Sequence, residues 1–249
     1  MKILVALKQV PDTETKIKVA ADGKSLDGSD VKWITSPYDE YALEEALRLK
    51  ESAGAEVTAV SVGGDKAKDI LRNALALGAD LAVLVKSAEV GDPLAVARIL
   101  AAFAEGKGFD LIFLGNKGFG GDNACVGPML AEILGIAQAN VVTKLDVADG
   151  TFRAEREGDA GTEILEGTLP AVITAQRGLN EPRYANLKGI MAAKKKTIEE
   201  VDGAAVTPAV TTLTLALPPS RPEGRKLEGD AAAQAAALLG LLRDEAKVL

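Results

Sequence analysis

Residues 56–87 read EVTAVSVGGDKAKDILRNALALGADLAVLVKS, and the way this stretch alternates decides the fold. EVTAVSVG (56–63) is a short apolar run rich in valine, as a strand buried on both faces must be. DKAKDILRNALALGAD (65–80) follows with helical spacing, opened by an aspartate and closed near a glycine. LAVLVKS (81–87) is again a doubly buried strand. A strand, a helix and a second strand in this order imply a right-handed crossover between parallel strands.

The same scheme extends to both sides. KILVALK (2–8) and DLIFLG (110–115) read as further buried strands, and two more helical patterns lie between the strands. In SPYDEYALEEALRLKESAG (36–54), Ser36 suits the N-cap, Pro37 the first helical position and Gly54 the stop. Ala42, Ala46, Leu49 and Ala53 recur on one face of that helix. DPLAVARILAAFAEGKG (92–108) repeats the pattern. The fold class is therefore α/β, a doubly wound and mostly parallel sheet of Rossmann-like type. Ligands on such sheets bind beyond the carboxyl ends of the strands, where the strand order reverses. That singles out residues 6–9, 62–64 and 115–123.

Past Ile136 the pattern changes. Residues on either side of Asp149-Gly150 alternate, and that dipeptide is a strong hairpin turn, so an antiparallel ribbon is expected before the strand PAVITAQ (170–176). From about residue 204 the chain becomes linker-like through PPSRPEG and ends in one amphipathic helix, DAAAQAAALLGLLRDEAKVL. The expected organisation is an α/β domain over 1–203, followed by a linker and a helical arm over 204–249 that docks on a partner.

Composition narrows the function classes. The 249 residues are 47% hydrophobic but only 4% aromatic, so alanine, leucine and valine must do most of the packing. Histidine is absent, which removes the commonest general base and metal ligand. The single cysteine, Cys125, excludes an internal disulfide and a multi-cysteine metal site. A formal charge of −7 argues against nucleic-acid binding. MKILVALKQ is too short for a signal sequence, and no apolar stretch approaches the roughly 20 residues that span a bilayer. A cytoplasmic protein with no transmembrane segment is expected.

LIFLGNKGFGGDNACVGPMLAEILG (111–135) carries the strongest site signal. A strand ends at Gly115, a glycine-rich loop follows, and a helix is expected to begin near residues 122–124, capped by Asp122 or Asn123. Gly118, Gly120 and Gly121 allow backbone amides to converge on a phosphate at the helix N-terminus. An ordinary strand-to-helix turn has the same pattern, and neither GxxxxGK[ST] nor GxGxxG is present. Cys125 reads as a small residue lining the pocket, because the chain has no histidine to activate it. No catalytic constellation is evident. An adenine-nucleotide-processing enzyme would have to rely on Asp122 and Lys117, and a nucleotide-sensing module is a further alternative.

Three long, ordered stretches carry a family resemblance. They are AEREGDAGTEILEGTLPAVITA (154–175), LNEPRYANLKGIMAAKKK (179–196), and ILVALKQVPDTETKIKV (3–19) together with SPYDEYALEEALRLKE (36–51). Over essentially its whole length the chain resembles the beta subunit of electron transfer flavoprotein, of the AMP-containing type. The resemblance implies a heterodimer with an alpha subunit that holds most of the FAD. It also implies electrons arriving from acyl-CoA and other dehydrogenases and leaving to a quinone oxidoreductase at the membrane. The AMP pocket it implies takes Ala6, Ser36, Pro37, Tyr38, Asp39 and Val62. To these it adds Gly115, Asn116, Lys117, Gly118, Phe119, Gly120, Gly121, Asp122, Asn123, Ala124, Cys125 and Val126. Tyr38 matches an aromatic position near the flavin. Thr13 stands where some relatives have tyrosine, and Gly120 and Gly121 replace acids found in some members.

The resemblance also accounts for an oddity, an apolar segment placed directly before three lysines in an acidic chain. The stretch 179–196 matches a partner-recognition loop. Leu187 is then an exposed anchor, Ile190 and Met191 pack the base of the loop with Tyr184 nearby, and Lys194, Lys195 and Lys196 steer acidic partners. A loop leucine folded into its own domain and a solvated lysine face are the plainer readings. Glu157 matches a position that forms an ion pair with the alpha subunit. A bifurcating relative would hold a second FAD in place of AMP.

Overall fold

A computed structural model of the chain describes residues 1–87, 92–221 and 223–249. Pro222, inside the expected linker, lies outside these residues. The described chain forms two units, Met1–Thr214 and Leu215–Leu249. The first opens with β1 (Lys2–Ala6), a small antiparallel ribbon of β2 (Gln9–Pro11) and β3 (Trp33–Thr35), and α1 (Pro37–Ala53). The crossover predicted over 56–87 is β4 (Glu56–Gly63), α2 (Lys68–Leu77) and β5 (Leu81–Lys86). Then come α3 (Pro93–Ala104), β6 (Leu111–Gly115), α4 (Val126–Leu134), β7 (Ala137–Ala148), β8 (Thr151–Gly158), β9 (Gly161–Thr168) and β10 (Ala171–Ala175). α5 (Leu187–Lys195) and β11 (Glu199–Asp202) complete the series.

The strand order is β11-β5-β4-β1-β6-β10-β7-β8-β9. The strands run parallel from β11 to β7, and only the β7–β8 and β8–β9 pairs are antiparallel. The chain winds outward from β1 through β4 to β5, then returns to place β6 on the other side of β1. The strand order therefore reverses between β1 and β6, and the crevice beyond their carboxyl ends is where such a sheet takes a ligand.

Apolar side chains fill both sides of the sheet, as continuous apolar strands require. Ile3 and Val5 of β1 face the core formed with α1 and α2, while Leu4 and Ala6 face the one formed with α3 and α4. α1 ends as predicted at Gly54, whose φ of 66° is the left-handed cap. Asp92 caps α3 by accepting from the Ala95 N–H at 2.9 Å. Ser36 stands at the N-cap of α1 without capping it, because its hydroxyl instead accepts from the Phe119 N–H at 3.3 Å.

One expectation needs correction. The helix after the glycine-rich loop starts at Val126, later than predicted, and Cys125 at its N-cap makes no side-chain cap. The chain is still turning at Asp122 and Ala124, with φ of 49° and 50°, so neither Asp122 nor Asn123 can cap it. The antiparallel ribbon expected around Asp149-Gly150 is present and is extended by a third strand, β9. β7 pairs with β10 in its first half and with β8 in its second. At the junction Val141 takes a φ of 63°, and its N–H donates to the Thr174 hydroxyl at 2.9 Å.

In the second unit, α6 (Ala231–Gly240) is capped by Asp230, which accepts from the Ala233 N–H at 2.9 Å, and it continues as a π-helical turn, Leu241–Glu245. None of the residues in these two helical segments is buried.

Candidate functional site

Asp39, in the first turn of α1, ties the crevice together. Its carboxylate accepts from the Lys8 N–H just beyond β1 and from the Gly115 N–H at the end of β6, both at 2.7 Å. One side chain thus fixes the separation of the two diverging strand ends. Gly115 is required here. A Cβ would stand 2.6 Å from Asp39 Oδ1 and 2.6 Å from the Tyr38 carbonyl carbon. Burial pushes the Asp39 carboxyl up to about 7, against the pull of the Lys8 and Gly115 N–H groups and the Lys8 charge.

Beyond these strand ends lies a cavity of about 260 Å³. Val60, Val62, Val96, Leu100 and Leu114 give it apolar walls. Its rim is polar, made of Lys8, Asp39, Asp92, Asn116, Lys117, Asp122 and Asn123. The structure brings most of the predicted residues together around it: Ala6, Asp39, Val62, Gly115–Gly118 and Gly121–Val126 all line the space. Ser36, Pro37, Tyr38, Phe119 and Gly120 do not. Ser36 and Phe119 support the loop through their mutual hydrogen bond. The Tyr38 ring lies under the Lys117 ammonium at 5.6 Å, and Lys117 also pairs with Asp122 at 3.0 Å.

Sequence reasoning placed Lys8 in the strand-end segment 6–9 without naming it as a site residue, and it missed the α3 side of the cavity. The Lys8 stem crosses the glycine-rich loop so closely that a Cβ at Gly118 would meet its Cδ at 2.7 Å. Its place two residues past β1, at the strand-order reversal, was the available signal. Asp92 was read only as a helix start. Its second carboxylate oxygen accepts from the Ala209 and Val210 N–H groups, so residues beyond β11 are bound to the rim. Among the described residues, no group of three His, Cys, Asp or Glu could hold a metal. Nor, among them, is any helix long and apolar enough to cross a membrane.

The stretch 179–196 forms a second surface feature. Leu187 begins α5 with 76% of its surface exposed, and Ile190 and Met191 stand beside it one turn on, at 41% and 53%. The expectation that Ile190 and Met191 pack the base of a loop is therefore corrected. At spacings of three and four they share one outward helical face with Leu187. Tyr184 is 97% exposed. Lys194 and Lys195 are exposed, but the Lys196 ammonium donates to the Ala79 carbonyl at 2.8 Å and so braces α5. Glu157 is exposed next to the β8–β9 turn, opposite Thr162.

This architecture defines a doubly wound α/β protein with a small cavity at its strand-order reversal. Comparison with known proteins gives the family. The electron transfer flavoprotein domain matches residues 25–206. The chain is 42% identical to electron transfer flavoprotein subunit beta of Bacillus subtilis (strain 168) over 259 aligned residues, covering 100% of both chains. It is 42% identical to the Bradyrhizobium diazoefficiens protein of the same name, again over 100% of each. Against the Homo sapiens protein of that name, identity is 40% over 92% of this chain and 93% of the other. The chain belongs to the electron transfer flavoprotein family, as a beta subunit, and its place is in electron transport.

Proposed function

We propose that this chain holds one AMP in the cavity beyond β1 and β6 and works as a heterodimer with an alpha subunit that carries FAD. The cavity is the observation that supports this most directly. At about 260 Å³ it lies at the small end of ligand sites, which commonly run from about 300 to 1,000 Å³. That suits a mononucleotide better than a second FAD. The valine and leucine walls suit a flat base. The loop amides, Lys8 and Lys117 suit a phosphate.

In this reading AMP is structural and is not turned over. The chain completes the flavin environment, with Tyr38 as the aromatic nearest the ring and Glu157 pairing with the alpha subunit. The arm over 204–249 docks on that subunit. Acyl-CoA and other dehydrogenases dock on the outward face of α5, with Leu187 as the anchor and Lys194 and Lys195 steering the approach. Electrons then pass to a quinone oxidoreductase at the membrane from a cytoplasmic carrier.

Nucleotides released by denaturing the purified heterodimer test the cofactor assignment. One AMP and one FAD per heterodimer are expected, and two FAD with no AMP would overturn it. For docking, Leu187→Ala should leave FAD content unchanged and slow flavin reduction by an acyl-CoA dehydrogenase. Unaltered kinetics would refute the anchor.

A further inference from the structure

α5 is seated on α2, and the segment that leads into it is held by α1. Residues 180–186 form neither helix nor strand, so no main-chain ladder fixes them. α5 itself has nine residues, fewer than the roughly 12–15 below which an isolated helix is marginal. Its direction must come from tertiary contacts.

Those contacts are specific. Arg183 presents its guanidinium fork to Glu44, with Nε 2.8 Å from Oε2 and Nη2 2.9 Å from Oε1. The same guanidinium reaches Glu51 through Nη1 at 2.5 Å and Nη2 at 3.1 Å. The Arg183 backbone N–H also donates to Glu44 at 3.2 Å. Three residues earlier, the Asn180 amide donates to the Tyr41 carbonyl at 3.0 Å and to Glu45 at 2.8 Å. Glu44 and Glu45 are only 6% exposed, and neither lines the cavity. Carboxylates under such cover are costly unless paired, and the partners they have belong largely to this segment.

α5 itself lies against α2. Arg72 donates to the Ala193 carbonyl at 2.6 Å and also to that of Lys196. A Cβ on Gly189 would stand 2.2 Å from the Ala76 carbonyl oxygen, so the two helices meet almost backbone to backbone. From Gly189, its third residue, onward α5 is thus seated by packing on α2. The segment leading into the helix, and with it Leu187 at the first position of α5, is held by the Arg183 bridge and the Asn180 contacts to α1.

We propose that Arg183 is the positioning residue of the docking face: by bridging Glu44 and Glu51 it fixes Leu187, Ile190 and Met191 where a dehydrogenase meets them already arranged. This rests on the reading of α5 as the docking surface. Arginine suits the role because its planar fork meets both oxygens of Glu44 and both of Glu51, a bidentate geometry that a lysine ammonium cannot reproduce. A surface arranged before contact spares the complex the ordering cost that a loose one would meet on binding.

The test uses the FAD-loaded heterodimer with an acyl-CoA dehydrogenase as electron donor, comparing Arg183→Lys, Glu51→Gln and Leu187→Ala with the parent. Arg183→Lys is expected to raise the KM for the carrier about tenfold while kcat changes by less than about twofold. Hydrogen exchange over residues 180–191 should quicken, with FAD content and reduction by dithionite unchanged. Glu51→Gln removes only the exposed half of the bridge and should give a smaller rise of the same kind, which keeps the test decisive if Arg183→Lys assembles poorly. An unchanged KM in Glu51→Gln and in any assembled Arg183→Lys, alongside a raised KM in Leu187→Ala, overturns the positioning role and leaves docking on α5 standing. An unchanged KM in Leu187→Ala defeats the docking reading itself.

Discussion

Asp39 shows how much of the site rests on one side chain. Its carboxyl ionises near 3.8 in the unfolded chain and near 7 in the folded protein, because burial disfavours the charge. Between those values the folded protein holds a proton that the unfolded chain has released. The contribution of this group to stability is therefore full below 3.8 and is lost as pH rises through about 7. Asp39→Asn removes the ionisation and sets an amide donor against one of the two N–H groups it must accept. The variant should be less stable than the parent by about 1–3 kcal/mol at about pH 5, with the gap narrowing by about pH 8. Urea unfolding of both proteins at the two pH values checks this, and a gap that held constant or widened would contradict it. Gly115→Ala acts on the same junction. Its methyl would stand 2.6 Å from the Tyr38 carbonyl carbon, which is backbone and cannot swing aside. A loss of about 1–3 kcal/mol is expected from such crowding, read as a lowered thermal midpoint.

At the scale of elements, legibility followed burial. β1, β4, β5 and β6 are buried throughout their middles and mostly apolar there, so periodicity and length alone identify them. β9 and β11 were not legible as strands. β9 has no buried residue and β11 only one that is even half covered, so neither shows an apolar face. The start of α4 was misplaced because Asp122 and Ala124 adopt positive φ without being glycine, which composition does not reveal. Of the cavity, the strand-end and loop residues could be read from the topology, while the α3 wall comes from packing across the sheet. α5 was taken as a loop because four glycine or polar positions interrupt its short apolar pattern. The Asn186 side chain nevertheless caps it, accepting from the Gly189 N–H at 2.8 Å. Asn186→Ala should therefore loosen this helix by about 0.5–2 kcal/mol. Faster amide exchange confined to α5 would confirm that. An unchanged exchange rate would show that the clamps on α1 and α2 suffice without the cap.

At the scale of the whole molecule, a sheet that completes its own core is followed by a segment that completes none. Among the described residues from 215 to 249 no side chain is buried, and Leu238 and Leu239 of α6 are 49% and 47% exposed. A ten-residue helix is not stable in water by its own hydrogen bonds. An apolar helix of this kind gains stability by burying its leucines elsewhere, which is what the proposed docking of the arm on the alpha subunit would provide. The two halves of this idea can be measured separately. A chain ended at Thr214 should unfold at the same urea concentration as the full chain when each is studied alone, since none of the described residues removed is fully buried. With the alpha subunit present, the shortened chain should associate at least about tenfold more weakly, a loss of about 1.4 kcal/mol. Sedimentation across a dilution series reads that difference directly. Equal association of the two chains would mean that the arm contributes nothing to the heterodimer. A lower unfolding midpoint for the isolated shortened chain would mean that the arm supports its own sheet instead.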